Sequence, residues 1–158
     1  MLTINIICIG KLKESYLRDA QAEYQKRLGA FCKLNIIELN ESKLPNDPSD
    51  AQIQKGMEIE SQAILSKLKG YIVPMCIEGK ILSSEDLATK MNEVSLNGTS
   101  EISFVIGGSF GLSNEVKQKA DFKLSMSKMT FPHQLARIML LEQVYRGFQI
   151  NSNGKYHK

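Results

Sequence analysis

Cysteine and histidine are scarce, three of one and two of the other in 158 residues. Cys8, Cys32 and Cys76 show no metal-ligand spacing and no histidine stands near them, which argues against a zinc or iron–sulfur centre. An odd number of isolated cysteines reads as reduced, mostly buried thiols, the usage of a cytoplasmic protein. No apolar run reaches the ~18 residues of a membrane helix. Residues 1–10 lack a basic stretch and a small-residue cleavage site, so no signal peptide is expected. A G-x-S-x-G elbow is missing, as is the Gly-Lys-Ser/Thr of a phosphate-binding loop. The only paired carboxylates, Glu85-Asp86, look like a solvated surface.

What remains is ordinary globular composition, 42% hydrophobic and 23% charged, with no repeat, low-complexity tract or dividing linker. A single domain over residues 1–158 is expected. The net charge of +3 hides an asymmetry. Residues 1–111 carry 12 Lys and Arg against 14 Asp and Glu, whereas residues 112–158 carry 8 against 3. A basic last third on a near-neutral body suggests a polyanionic partner, because clustered Lys and Arg favour phosphate.

Along the chain, strand-like and helix-like stretches alternate. Residues 2–9 are β-branched and apolar, as a buried strand should be. Leu17, Ala20, Tyr24 and Leu28 share a helical face that stops at Gly29. A strand over 33–39 leads into a loop with Pro45 and Pro48, then a helix over 51–69. A third strand over 71–77 is interrupted by Pro74, which argues for an edge position or a strand end there, and Glu78-Gly79-Lys80 turns the chain. Ser83 caps a helix with Leu87, Met91 and Val94 on one face. The unbroken apolar run 102–106 predicts a central parallel strand. Ser113 caps a short helix, 122–126 reads as a fifth strand, and a last helix runs from Pro132 to about Ile150. That helix carries apolar residues around much of its circumference, so it is buried or forms a subunit interface. The pattern is an α/β fold with a mostly parallel sheet flanked by helices.

Three stretches could carry chemistry. Gly107-Gly108-Ser109-Phe110-Gly111 follows the central strand, where glycines let backbone amides approach a ligand, or simply make a tight turn. Ser127 to His133 crowds polar groups ahead of the last helix, either an anion-binding turn or a plain helix cap. His133 and Arg137, at i and i+4, share a face that suits a phosphate or a base edge, or form an idle surface pair. Glu142 and Arg146 read as a structural pair. The tail, Tyr156-His157-Lys158, is either frayed or a stacking and phosphate-contacting group.

Several runs carry a family resemblance. Val105 to Ser109, Ser125 to Gln134, Glu142 to Arg146 and Tyr156 to Lys158 resemble the RlmH family, SPOUT-class methyltransferases acting on N3 of a pseudouridine in 23S rRNA. Ile9 to Lys13, Glu78-Gly79-Lys80 and Leu82 to Glu85 match too, so the likeness spans the chain. It implies a SPOUT fold with a C-terminal deep trefoil knot, which general rules of chain topology would not suggest. It also implies S-adenosylmethionine as cofactor, 23S rRNA in the assembled 70S ribosome as partner, and a homodimer packed through the knot, with sites shared between copies. By motif, cofactor binding falls to Met75, Gly107, Met126, Ser127, Lys128, Met129, Thr130 and Phe131. His157 and His133 are the candidate bases, with Arg137, Tyr156, His157 and Lys158 on the RNA. Pro74 and Phe110 depart from the family's usual residues. No metal and no membrane is implied. The rival readings are a non-catalytic ribosome- or RNA-binding factor, which leaves both loops unexplained, and a nucleotide hydrolase, which lacks its lysine motif or acid pair.

Overall fold

The computed structural model describes all 158 residues. Five parallel strands, β1 (Thr3–Ile9), β2 (Lys33–Leu39), β3 (Tyr71–Ile81), β4 (Glu101–Ile106) and β5 (Leu124–Ser125), stand in the order β2-β1-β4-β3-β5. Helices α1 (Ser15–Leu28), α2 (Asp50–Leu65), α3 (Ser84–Leu96), α4 (Asn114–Gln118) and α5 (His133–Asn151) connect them and close the chain. The run 102–106 lies between β1 and β3, the central place its apolar character predicts.

Strand alternation divides the core. Ile4, Ile6 and Cys8 point with Phe104 and Ile106 toward α1, α3 and α5, where Leu28, Met91, Leu140, Leu141 and Val144 meet them. Ile7, Ile9 and Val105 face the other way, onto Ile64 of α2 and Val116 of α4. Each side chain of that size withdrawn from water contributes roughly 1.5–3 kcal/mol. One polar run crosses the sheet. Asn5 donates to Glu101 at 2.7 Å and to Ser103 at 3.2 Å, and accepts from Asn35 at 2.9 Å. Such a fully paired ladder stabilises one register of β2, β1 and β4 over any slipped one, which would orphan the amides.

Local signals set the helix starts. Ser49 with Gln52 and Ser83 with Asp86 form capping boxes, and Ser113 accepts from the Val116 amide. Pro132 stands just outside α5, at the N-cap, one position earlier than the expected first helical residue.

β3 departs most from expectation. Its pairing with β4 ends at Pro74 and its pairing with β5 begins at Met75. Pro74 therefore lies inside an interior strand, at the hand-over between two ladders, where its missing N–H costs little. Beyond it, Leu124 is the register partner of both Met75 and Lys80, so residues 76–79 arch out of the ladder before β3 rejoins β5. Glu78-Gly79-Lys80 does not end the strand as expected, because β3 runs on through Lys80 to Ile81. β5 is shorter than expected, because the Asp121 and Phe122 amides donate to the Ile72 carbonyl instead of joining a ladder.

Of the two readings of α5, burial holds for the face with Leu140, Leu141 and Val144, which the sheet, α1 and α3 cover, and Gly147 lets Met91 approach. Leu135, near the start of the helix, stays 39% exposed.

At Gly79 a Cβ would stand 2.7 Å from the Leu124 backbone carbon, so only glycine lets the two strands rejoin. Gly79→Ala is expected to cost about 1–3 kcal/mol through overpacking against backbone. A lowered urea midpoint at unchanged m-value checks this.

Candidate active site at the carboxyl ends of three strands

The arch leaves a cleft of about 700 Å³ at the carboxyl ends of β3, β4 and β5. That volume lies within the ~300–1,000 Å³ typical of small-molecule sites, at the sheet end where ligands bind in open α/β folds. One wall is Met75, Cys76, Ile77 and Glu78; a second is the glycine loop from Ile106 to Leu112; the third runs from Ser125 to Ala136.

Backbone geometry shapes each wall. The Gly108 carbonyl accepts from the Gly111 amide at 3.0 Å, pinching the glycine loop shut. A Cβ on Gly107 would come within 2.6 Å of the Gly111 backbone, so the loop tolerates no side chain there. In the third wall Ser125 donates to the Ser127 carbonyl and the Ser127 hydroxyl accepts from the Met129 amide, both at 3.0 Å. These local bonds curl the loop without regular structure. α5 opens on the cleft with no side-chain cap and no acidic residue in its first turn, leaving its positive end toward the cavity.

Four titratable side chains line the cleft: Cys76, Glu78, Lys117 and His133. Lys117 pairs with Glu78 at 2.6 Å, which holds that carboxyl below its usual range. Burial, followed by the Glu78 charge, pushes the Cys76 thiol up, so little of it is nucleophilic at neutral pH. His133 is left without a hydrogen-bonded partner. No three His, Cys, Asp or Glu side chains stand together to ligate a metal ion.

Of the residues singled out in the sequence, Met75, Gly107, Met126, Ser127, Met129, Thr130, Phe131 and His133 line this one cleft. Lys128 points to solvent and is not part of the wall. Arg137 is displaced further from expectation. It is 1% exposed, donating to Glu38 at 2.7 Å, Gln21 at 3.0 Å and the Gly10 carbonyl at 3.1 Å. It clamps α5 to the carboxyl ends of β1 and β2 and cannot reach RNA phosphate. Its Nε has no partner, a cost the three other bonds offset. At i+4 from His133, Arg137 belongs to the core-facing side of α5.

The tail lies elsewhere too. Tyr156 donates to Glu142 and packs edge-on to Tyr145 at 4.8 Å, under the Arg146 guanidinium. His157 Nδ1 lies 3.1 Å from Arg146 Nη1 and Nε2 lies 2.5 Å from Glu85. Arginine only donates, so Nδ1 accepts and the ring's proton sits on Nε2, toward Glu85. Arg146 is 13 residues along α5 from His133, about 20 Å at 1.5 Å per residue. Tyr156 and His157 therefore stand well outside the cleft of their own chain. Cys76, Glu78 and Lys117 were not foreseen, since nothing in their spacing announces that the arch and α4 meet.

The comparisons with known proteins bear on this geometry. A family model described as "Predicted SPOUT methyltransferase" matches residues 2–157. The chain belongs to the SPOUT methyltransferase family. A putative ribosomal RNA large subunit methyltransferase H from Methanococcus vannielii is 52% identical over 99% of this chain and all of its own length. Ribosomal RNA large subunit methyltransferase H from Clostridium novyi is 50% identical with the same coverage. Among solved structures, a probable methylase family protein from Haemophilus influenzae Rd KW20 aligns with a TM-score of 0.55 at 14% identity, over 98% of this chain and 70% of that one. A tRNA (m1G37) methyltransferase from Aquifex aeolicus gives 0.53 at 13% identity, over 92% and 69%. At those identities the structures speak to the fold alone, and the fold is SPOUT. The walls of this SPOUT chain's cleft hold most of two runs that carried the family resemblance, Val105 to Ser109 and Ser125 to Gln134.

Arg137→Ala would leave Glu38 without its partner and α5 without its clamp. Removing one partner of a buried pair costs about 3–5 kcal/mol, and the partial exposure of Glu38 puts the expected loss near the lower figure. Urea denaturation reads it; Arg137→Ala with Glu38→Gln should recover part of the loss.

Proposed function

We propose that this chain is an S-adenosylmethionine-dependent methyltransferase of large-subunit ribosomal RNA, acting on N3 of a pseudouridine in 23S rRNA within the assembled ribosome. The observation that carries the reading is the single cleft in which the arch, the glycine loop and the Ser125–Ala136 wall converge. Met75, Ile106, Leu112, Met129 and Phe131 offer apolar surface for an adenine and a thioether chain, while serines and loop amides offer polar contacts. The trefoil knot expected of a SPOUT chain belongs to this proposal, with the two loops as its crossing segments.

When bound, the cofactor supplies a methyl group already activated on a sulfonium. The chain's work is then to hold donor and acceptor in line and to exclude water. As the N3–methyl bond forms and the carbon–sulfur bond breaks, the imide proton must leave. His133 is the candidate acceptor in the cleft, unpaired and within the third wall. His157, with Tyr156 and Lys158, enters only from a second copy, because its own chain holds the tail about 20 Å away along α5. A homodimer is part of the proposal for that reason. Ile77, Phe110, Met129 and Leu135 support it, as large apolar side chains left exposed at or beside the cleft mouth. A cytoplasmic location accords with a ribosomal substrate.

Methyl transfer from labelled cofactor to free rRNA, 50S subunits and 70S ribosomes, with mapping of the modified base, tests the activity. Modification of 70S particles at a pseudouridine is expected; no transfer to any of the three would sink the reading. His133→Ala should lower kcat at least tenfold with little change in cofactor affinity, and wild-type turnover would remove it as the base.

Thiol chemistry locates the cofactor. Cys8 and Cys32 are buried, with thiols pushed up to about 11 by desolvation, and should resist alkylation at pH 8. Cys76 should react slowly, faster as pH rises, and more slowly still with S-adenosylmethionine present. Unchanged labelling of Cys76 at saturating cofactor would place the cofactor elsewhere.

A further inference from the structure

Arg137 is buried, Arg146 is held by Glu142 and His157, and Lys117 is held by Glu78. Three of the eight cations in the basic last third are thus spent inside the chain, and the surface that meets a polyanion must be found among the unpaired cations of the whole chain. The outer edge of the sheet supplies it. Gly79 lets β3 rejoin β5 so closely that the Lys80 amide donates to the Lys123 carbonyl at 3.0 Å. Lys80 and Lys123 are both exposed on that edge, and Lys128 follows where the chain leaves β5 for the cleft wall. None of the three has a carboxylate within salt-bridge distance, whereas Arg27, Lys117, Arg137 and Arg146 do.

The acids nearby are engaged. Glu78 is taken by Lys117, Asp121 accepts from the Ile72 amide at 2.8 Å, and Glu85 meets His157. Lys90 adds a further cation beside the edge, 4.7 Å over the Phe122 ring. Lys123 is close enough to Glu78 and Cys76, both in the cleft wall, to favour their anionic forms. Lys128 stands between Ser127 and Met129, and Lys80 lies two residues past Glu78, all three of those neighbours in the cleft wall, so the strip ends at the cleft.

We propose that the exposed β3–β5 edge, through Lys80, Lys123 and Lys128, is the docking strip for the phosphodiester backbone of the substrate RNA, leading it to the cleft. This rests on the methyltransferase reading and names the surface that reading left open. It adds the sheet edge to the contacts a second copy's tail would make, and takes Arg137 out of them. The plainer role of such lysines is to blunt an edge strand against pairing with other chains. That role makes no demand on how binding responds to salt.

Filter binding of the intact protein to 50S and 70S particles across a salt series separates the two. Each lost phosphate contact lowers the slope of log K against log salt by ~0.7–0.9. Lys80→Gln with Lys123→Gln should make the slope shallower by about 1.5, which at 0.1 M is an affinity about 30-fold weaker. Adding Lys128→Gln should lower it again. Lys33→Gln with Lys43→Gln, on or just beyond the opposite edge strand, removes the same charge and should change the slope little. Unaltered melting and S-adenosylmethionine affinity in the Lys80/Lys123 variant show that fold and cleft survive. An unchanged slope, an equal loss in the control pair, or no particle binding by the wild type would overturn the proposal. A slope that falls as expected while the wild type methylates no ribosomal RNA would overturn the methyltransferase reading and leave the strip standing. Normal methylation with an unchanged slope would do the reverse.

Discussion

The cleft depends on one constraint, the way β3 changes partners. Up to Pro74 the strand is hydrogen-bonded to β4, and from Met75 to β5, with Leu124 as register partner on both sides of the arch. A ladder that must be left and rejoined within six residues throws residues 76–79 outward, and the space beneath them is the cavity. The glycine loop and the Ser125–Ala136 wall close around that space. Around the cleft, Gly107 and Gly79 are places where backbone meets backbone too closely for a side chain. The site is thus an opening in a parallel sheet held by main-chain geometry, with few side chains committed to holding it.

Most of the fold was legible because its signals are local and periodic. Serine caps before α2, α3 and α4, the apolar run of β4 and the alternation of β1 each act within a few residues. What escaped depends on partners far away in sequence. Pro74 read as an edge position or a strand end because its neighbours on either side were unknown; the ladder with β4 does end there, and the hand-over to β5 removes the penalty of the missing N–H. The apolar α5 read as either buried or a subunit seam because periodicity cannot say which of its residues α1 and α3 cover.

The candidate site divides in the same way. Gly107 and the run Met126 to Phe131 were found by motif, and seven of those eight positions with Met75 included face one cavity. Arg137 was misplaced because spacing on a helix fixes a face without saying which face is inward. Its partners Glu38, Gln21 and Gly10 come from the first quarter of the chain. The tail contained the right chemical types for a site, yet its aromatic ring, imidazole and the Arg146 beneath them satisfy one another and Glu142 and Glu85 within the chain. Charge behaves alike: composition located an excess of cations, and only the ion pairs reveal which are free.

The Arg137 clamp also orders events in time. It joins α5 to the Gly10 carbonyl across 127 residues of sequence, and α5 is tied again to α3 through Gln143 with Ser84 and Asn151 with Ala88. Closing loops of that span costs chain entropy that local contacts do not. One wall of the cleft is the start of α5 itself. While the chain is being made, β1 to β4 can collapse with their helices, but the cavity has no third side until residues 126–136 have emerged and the last helix has docked. The binding site is therefore complete only when residues 126–136 stand against the walls formed by β3 and the glycine loop.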